Sequence, residues 1–215
     1  ATTTASKSAC PSPDDYMKSF EGADNVIVVT ITGTLSGSYN SAEIAKKIYL
    51  EEHPNAKIHV IDSLSAGGEV DLLVRKLNHL VAEGLEFDQV LDAITAYQSK
   101  TKLLFVLAKV DNLVKNGRLS KLVGTVVGLL NIRMVGEASK TGTLELLQKA
   151  RGQKKAIKAA FDELIKAGYT GGHITIAHRN NDKFIEQFSE LVREKFAQAS
   201  IEVLPTSGLC SFYAE

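Results

Sequence analysis

The sequence predicts an α/β fold in which strands and helices alternate along the chain and the strands of the first half form a parallel sheet. The run Asn25 to Thr32 is almost continuously apolar and β-branched, which is the composition of a strand buried on both faces, and Lys57 to Asp62 is predicted as the next strand. A short loop, and then a segment with helical spacing of its apolar residues, follows each run. This order is that of the repeating βα unit of a parallel sheet.

The other elements of the first half fit the same pattern. A short helix is expected to begin after Ser12 and to continue through Phe20, because serine caps helices, Pro13 suits the first helical position, and the acidic residues that follow favour the positive end of the helix dipole. Four further elements are predicted: helices at Tyr39 to Glu51, Glu69 to Glu83 and Phe87 to Ser99, and a strand at Leu103 to Ala108 that joins the parallel sheet.

The second half differs in character, and a change of domain is predicted near residues 105 to 110. It contains a long apolar segment, Leu122 to Val135, and a hairpin-like region around Lys140 to Thr143. The remaining predicted elements form a two-layer α/β arrangement: a helix at Val110 to Asn116, a strand at Leu144 to Ala150, a helix at Gln153 to Ala167, a strand at His173 to Ala177, a helix at Asp182 to Ala197 and a strand at Ser200 to Leu204.

Composition excludes several classes of partner. The 25 basic and 25 acidic residues cancel, so no global field recruits nucleic acid or an anionic membrane surface. The apolar segment Leu122 to Val135 has about 14 residues and contains two glycines and an arginine, whereas a membrane-spanning helix needs about 20 apolar residues. Cys10 and Cys210, at opposite ends of the chain, support neither a disulfide framework nor a metal site, which favours a cytoplasmic location.

The loop after the first strand is the main candidate for a binding site. In open α/β sheets, ligands bind beyond the carboxyl ends of the strands, and Thr30 to Ser41 covers that position. Glycines let the backbone approach a ligand, the amides at the start of the next helix favour an anion, and Thr32, Thr34, Ser36 and Ser38 add hydroxyl donors. The loop therefore suits a carboxylate or a phosphate. The alternative is that the hydroxyls only cap the helix and fill a turn.

Six short motifs in one order carry a resemblance to a known family. They are SxxPSP (Ser8 to Pro13), LSGSYNSA (Leu35 to Ala42), VIDSLSAGG (Val60 to Gly68), NLVKNGRLSK (Asn112 to Lys121), LLNIRM (Leu129 to Met134) and KARGQKKAI (Lys149 to Ile157). Together they resemble the DegV family, which is best known for fatty-acid-binding proteins that present an acyl chain to a fatty acid kinase.

The resemblance implies a two-domain fold and a lipid ligand. Residues 1–108 would form a three-layer α/β/α domain with a parallel sheet and the carboxylate-binding loops, without the family's first strand. Residues 109–215 would form a two-layer α/β domain with a mixed sheet that covers the acyl chain, truncated before the family's closing His-x-Gly-Pro-Gly segment. A long-chain fatty acid would lie buried between the domains, with no other cofactor, and Leu122 to Ile132 would either line its tunnel or belong to the core.

The resemblance also implies which residues hold the head group and which face a partner. The implied carboxylate-binding residues are Ser8, Thr32, Gly33, Ser36, Gly37 and Ser38. Gly33 stands where many members have serine, and Ser8 where they have threonine. Arg118 and Arg151 would contact a fatty acid kinase or the acyl phosphate, unless they are ordinary surface arginines.

No catalytic residue or metal site is predicted. The five histidines show no metal-ligand spacing, and no set of serine, histidine and acid can be assembled from spacing alone. Asp62 could be a general base, although a carboxylate that caps a helix or orders its loop is favoured. We therefore predict a binding protein. The alternatives are a phosphoryl-transfer subunit related to the dihydroxyacetone kinases, and a regulatory protein without a lipid ligand.

Overall fold

The computed structural model describes residues 7–119 and 131–214, and the chain forms two compact units. The first, called here the N-terminal unit, contains Ser8–Thr101 and the short segment Lys140–Thr143. The second, the C-terminal unit, contains Lys102–Ser139 and Leu144–Glu215. The division at residues 101 and 102 precedes the one expected from the sequence at 108 and 109, because the strand near residue 105 pairs within the C-terminal unit.

The N-terminal unit has the predicted order of elements. Its two strands, β1 and β2, are parallel neighbours, with Asn25 opposite Lys57 at one end and Thr30 opposite Asp62 at the other. The carboxyl ends of both strands therefore meet at one edge of the sheet. The elements are α1 (Pro13–Phe20), β1 (Asn25–Thr30), α2 (Ser38–Glu52), β2 (Lys57–Asp62), α3 (Gly68–Ala82) and α4 (Phe87–Gln98).

Helices cover both faces of this parallel pair. Val26 and Val28 pack with Phe20 and Tyr49 of α1 and α2, whereas the alternate β1 residues pack against α3 and α4. Successive side chains of a strand point to opposite faces, so the apolar run of β1 serves two cores. The residues of the second core are Ile27, Val29, Ile61, Leu73, Leu77, Leu80, Val90 and Ile94. The N-terminal unit therefore has the three-layer α/β/α arrangement that was predicted for the first domain.

The C-terminal unit combines antiparallel and parallel pairing in two sheets among the described residues. Strands β3, β4 and β5 form an antiparallel sheet in that order, and β6 pairs with β7 in parallel. The elements are β3 (Leu104–Leu107), α5 (Asp111–Lys115), β4 (Ile132–Ala138), β5 (Leu144–Arg151), α6 (Gln153–Lys166), β6 (His173–His178), α7 (Asp182–Lys195), β7 (Ser200–Pro205) and α8 (Gly208–Tyr213).

One hydrophobic core of this unit lies between its strands and the helices α6 and α7, and a second contains Leu107, Leu113 and Met134. Val135, Ile157 and Val192 contribute buried side chains from one strand and both helices. The hairpin predicted around Lys140 to Thr143 is confirmed, since β4 and β5 pair on either side of that turn. The prediction that β3 joins the first parallel sheet was wrong. This strand pairs antiparallel with β4, and Leu104 lies opposite Glu137.

Part of the apolar segment Leu122 to Val135 falls outside the described residues. Its last four residues, Ile132 to Val135, belong to β4. Residues 120–130, and with them most of the segment expected to line a tunnel or the core, are not described. Among the helices of the described ranges, none combines the length and the apolarity needed to cross a bilayer.

Candidate functional site

The loop between β1 and α2 is anchored by Thr32. The Thr32 side chain is fully buried, and its amide donates to the carbonyl of Ser65, 2.8 Å away in the loop after β2. The Thr32 hydroxyl accepts from the amide of Thr34 at 3.3 Å and lies 3.2 Å from the Thr34 hydroxyl. The two loops that follow the parallel strands are thus held side by side.

Thr34 ties this loop to the turn of residues 140–143. Its hydroxyl donates to the carbonyl of Gly142 at 2.5 Å. Gly142 has φ +80°, and a Cβ atom placed there would overlap the Thr32 hydroxyl and approach the Cα of Leu64. Only glycine allows the turn to lie this close to the loop. The segment Lys140–Thr143 therefore packs directly against the loop of the candidate site, a contact that the sequence did not predict.

Ser36 and Ser38 form a hydroxyl pair at the start of α2. Their oxygens are 2.9 Å apart, and the Ser36 hydroxyl also accepts from the Ser38 amide at 3.2 Å. Gly37 occupies the N-cap position of α2 and offers no side chain, so Ser36 replaces part of the missing cap. Two hydroxyls that share one hydrogen bond leave one proton for a further acceptor. The cap interpretation thus applies to Ser36 in part, and the pair keeps a free donor among the described contacts.

Asp62 orders both loops. Its carboxylate accepts from the amide of Gly33 at 3.2 and 3.3 Å and from the amide of Leu64 at 2.9 Å. Leu64 has φ +53°, an unusual conformation for a non-glycine residue, and the bond from Asp62 helps to hold it. These contacts favour the loop-ordering role for Asp62 over the general-base role. They also occupy the Gly33 amide, so that this amide is not free to bind a head group.

Buried hydroxyls continue along the loop after β2. The Ser63 hydroxyl donates to the Ser65 carbonyl and accepts from the Ser65 amide, both at 3.1 Å. Ser65 is 1% exposed, and within the described parts of the chain its own hydroxyl has no hydrogen-bond partner. The predicted site set did not include these two serines. The small-residue motif VIDSLSAGG at the carboxyl end of the second parallel strand was the signal that could have identified them.

The segment that contains Ser8 packs beside the same loop. The Ser41 hydroxyl of α2 donates to the Pro11 carbonyl at 2.7 Å, and a Cβ atom at Gly37 would lie 3.1 Å from the sulfur of Cys10. Ser8 itself is half-buried. All six residues predicted to bind the carboxylate therefore belong to the N-terminal unit.

The electrostatic character of the two loops is unusual for an anion site. Residues 30–41 and 60–68 contain no lysine or arginine, and Asp62 is their one charged residue. Burial raises the pKa of Tyr39, and the charges of Glu43 and Asp62 raise it further, so this phenol stays protonated at neutral pH. Within these two loops, the available donors are neutral hydroxyls and amides.

The two predicted arginines lie in the C-terminal unit. The guanidinium carbon of Arg118 lies 4.6 Å from the centroid of the Tyr213 ring, which is a cation–π distance. Arg151 ends β5 opposite Ile132 and is exposed.

One set of serine, histidine and acid does form in space, on the strands β6 and β7. The Nδ1 atom of His173 lies 3.1 Å from the Ser200 hydroxyl, and its Nε2 atom lies 3.7 Å from a Glu202 carboxylate oxygen. The second distance is too long for the hydrogen bond that orients a catalytic base, and Thr175 approaches the same nitrogen at 3.3 Å. Across the described ranges, no three histidine, cysteine or acidic residues are grouped as metal ligands would be.

Comparison with known proteins assigns the chain to a family. The profile described as "Uncharacterised protein, DegV family" matches residues 1–215. The chain belongs to the DegV family. A DegV domain-containing protein of Streptococcus gordonii is 76% identical over 215 residues, which are 100% of this chain and 76% of that protein.

Two solved DegV-family structures are similar to the whole chain. One is the Fatty Acid Kinase (Fak) B3 protein of Streptococcus pneumoniae loaded with linoleic acid, which is 75% identical, with a TM-score of 0.96 and coverage of 100% of this chain and 76% of that one. The other is a DegV family protein of Eubacterium eligens loaded with heptadecanoic acid, which is 39% identical, with a TM-score of 0.94 and coverage of 100% and 78%. The resemblance inferred from the six motifs is confirmed.

Proposed function

We propose that this DegV-family chain binds one long-chain fatty acid by its carboxylate and presents that carboxylate to a fatty acid kinase. The observation that carries the proposal is the cluster of uncharged hydroxyl donors at the carboxyl edge of the parallel strands, beside the first turn of α2. The bound linoleic and heptadecanoic acids of two similar proteins support the same ligand class.

The charges of the loops favour a carboxylate over a phosphate. Asp62 is fixed beside Gly33 by its hydrogen bonds, and no basic residue of the two loops offsets its charge. A phosphate, which carries nearly two negative charges at neutral pH, would meet about twice the repulsion that a carboxylate meets. Hydroxyl donors and helix amides suffice for one charge, because hydrogen bonds to the ionised form keep a partly buried carboxylate ionised.

Affinity would come from the tail and recognition from the head group. Burial of a methylene contributes about 0.8 kcal/mol, so a sixteen-carbon tail contributes on the order of 10 kcal/mol before its ordering cost. Each hydrogen bond to the charged head adds roughly 1.5 to 3 kcal/mol. A few well-placed hydroxyls are therefore enough to select an acid over an ester or an alcohol of the same length.

The same geometry supports a role without catalysis. Asp62 is engaged by two amides, and His173 is too far from Glu202 to act as an oriented base. The kinase would supply the chemistry, with Arg118 and Arg151 facing it or the acyl phosphate. A cytoplasmic location fits the two cysteines, Cys10 and Cys210, which are both free and exposed.

Extraction of the purified protein tests the proposal. Protein produced in a bacterial host should release about one long-chain fatty acid per chain into organic solvent, measured by gas chromatography. Delipidated protein should take up added fatty acid to the same ratio. Folded protein that releases no acyl chain and takes up none would contradict the proposal.

A further inference from the structure

The hydroxyl of Ser65 is a buried donor to which no described residue is hydrogen-bonded. Ser65 is 1% exposed, and in the described portion of the chain its Oγ atom makes no hydrogen bond. Buried polar side chains in folded proteins are nearly always hydrogen-bonded, because a group that leaves water without a new partner loses free energy. This hydroxyl therefore requires a partner that the described residues, 7–119 and 131–214, do not provide.

The backbone amide and carbonyl of Ser65 are both hydrogen-bonded, so that among the described contacts its hydroxyl is the one polar group of this residue without a bond. The Ser65 carbonyl accepts from the Thr32 amide at 2.8 Å and from the Ser63 hydroxyl at 3.1 Å, and the Ser65 amide donates to Ser63. These bonds fix Ser65 against the loop after β1, on which the head-group residues were predicted. The unpaired donor is thus part of the same polar edge.

Two of the predicted head-group donors are, by contrast, already used. The Thr34 hydroxyl gives its proton to the Gly142 carbonyl, so the Thr32 hydroxyl must be the donor in the contact between the two threonines. The Gly33 amide donates to Asp62. Neither Thr32 nor Gly33 retains a proton for a ligand in this arrangement.

We infer that the Ser65 hydroxyl donates a hydrogen bond to the carboxylate of the bound fatty acid. This inference rests on the proposed function and extends the head-group site to the loop after β2. Ser65 and the pair Ser36 and Ser38 then supply the donors, while Thr32, Gly33 and Asp62 hold the two loops in place.

The test compares Ser65→Ala with Ser63→Ala, a buried serine of the same loop whose hydroxyl does have partners. Ser65→Ala should weaken fatty acid binding by about tenfold to a hundredfold, which is the loss of one hydrogen bond to a charged group. It should leave the melting temperature of the delipidated protein unchanged or higher, because no internal bond is lost. Ser63→Ala should lower that melting temperature, because its hydroxyl bonds both the amide and the carbonyl of Ser65.

Two further measurements separate a ligand contact from a packing effect. Ser65→Cys keeps an atom at the γ position but offers only a weak donor, so its affinity for the acid should be lowered as it is in Ser65→Ala. Affinity for a fatty alcohol of the same length should change less than affinity for the acid in both variants. If Ser65→Ala and Ser65→Cys both bind fatty acid with an affinity within twofold of that of the unmodified protein, the assignment of Ser65 is wrong, while the proposed function stands.

Two other results would contradict the inference about Ser65 or the proposed function itself. A melting temperature of delipidated Ser65→Ala that falls as far as that of Ser63→Ala would show that the hydroxyl has an internal partner, such as a buried water, and would overturn the inference. Failure of the unmodified protein to bind fatty acid would overturn the proposed function, and the assignment of Ser65 with it.

Discussion

A side chain at Gly142 should destabilise the protein, because this glycine lies directly against Thr32 of the candidate loop. Alanine at φ +80° carries a backbone strain of about 1 to 2 kcal/mol. The added methyl group would also overlap the Thr32 hydroxyl, and overpacking of this kind costs about 1 to 3 kcal/mol. Gly142→Ala should therefore lower the free energy of unfolding by about 2 to 5 kcal/mol.

Gly22 offers a matched control for this change. It has the same φ of +80°, but a Cβ atom there would meet nothing within 4 Å. Gly22→Ala should thus show the backbone strain alone, about 1 to 2 kcal/mol, without the overlap. Urea unfolding of both variants and the unmodified protein gives the two differences. Equal destabilisation by the two substitutions would refute the close packing of the turn on the loop.

Three other predictions concern the head group, the partner surface and pH. Ser38→Ala should weaken fatty acid binding by roughly 1 to 3 kcal/mol in a titration and leave the delipidated protein nearly as stable as before. Ser36→Ala should weaken binding similarly and should also lower the free energy of unfolding of the delipidated protein by about 0.5 to 2 kcal/mol, because the Ser38 amide loses its acceptor. Arg118→Ala and Arg151→Ala should retain fatty acid binding but slow phosphorylation of the bound acid by a fatty acid kinase, as followed by acyl phosphate formation; unchanged rates would remove both from the partner surface. Burial, and to a smaller extent the charge of Lys46, lowers the pKa of His59 in the folded protein. The unfolded chain therefore binds a proton at His59 more readily, and the free energy of unfolding should fall as the pH drops below about 6.5. Urea unfolding at several pH values should show a smaller fall for His59→Gln.

The order of elements in the N-terminal unit could be predicted because each strand and helix has its own periodicity. The β-branched runs of β1 and β2 and the apolar stripe of α3 are local signals, and the structure confirms them. The partner of β3 could not be predicted in this way. Leu104–Leu107 is a short apolar run that suits either sheet, and its pairing with β4 depends on contacts distant in the sequence.

The sequence indicates a candidate loop for the site but does not show which of its donors are already hydrogen-bonded within the chain. The loop after β1 was identified from its glycines and hydroxyls and from its place at the end of a strand. Which hydroxyls are free depends on the neighbouring loop, since Asp62 occupies the Gly33 amide and Gly142 accepts from Thr34. These partners lie 29 and 108 residues away in the sequence, and no local pattern indicates them.

A crystal structure of the protein with a saturating long-chain fatty acid is the most direct test of the central claim. One acyl chain should be present, with its carboxylate oxygens about 2.5 to 3.0 Å from hydroxyl oxygens of the loops that follow β1 and β2. The Ser65 hydroxyl and the pair Ser36 and Ser38 should be among these donors. A carboxylate bound elsewhere, or no bound acyl chain at saturating ligand, would contradict the account.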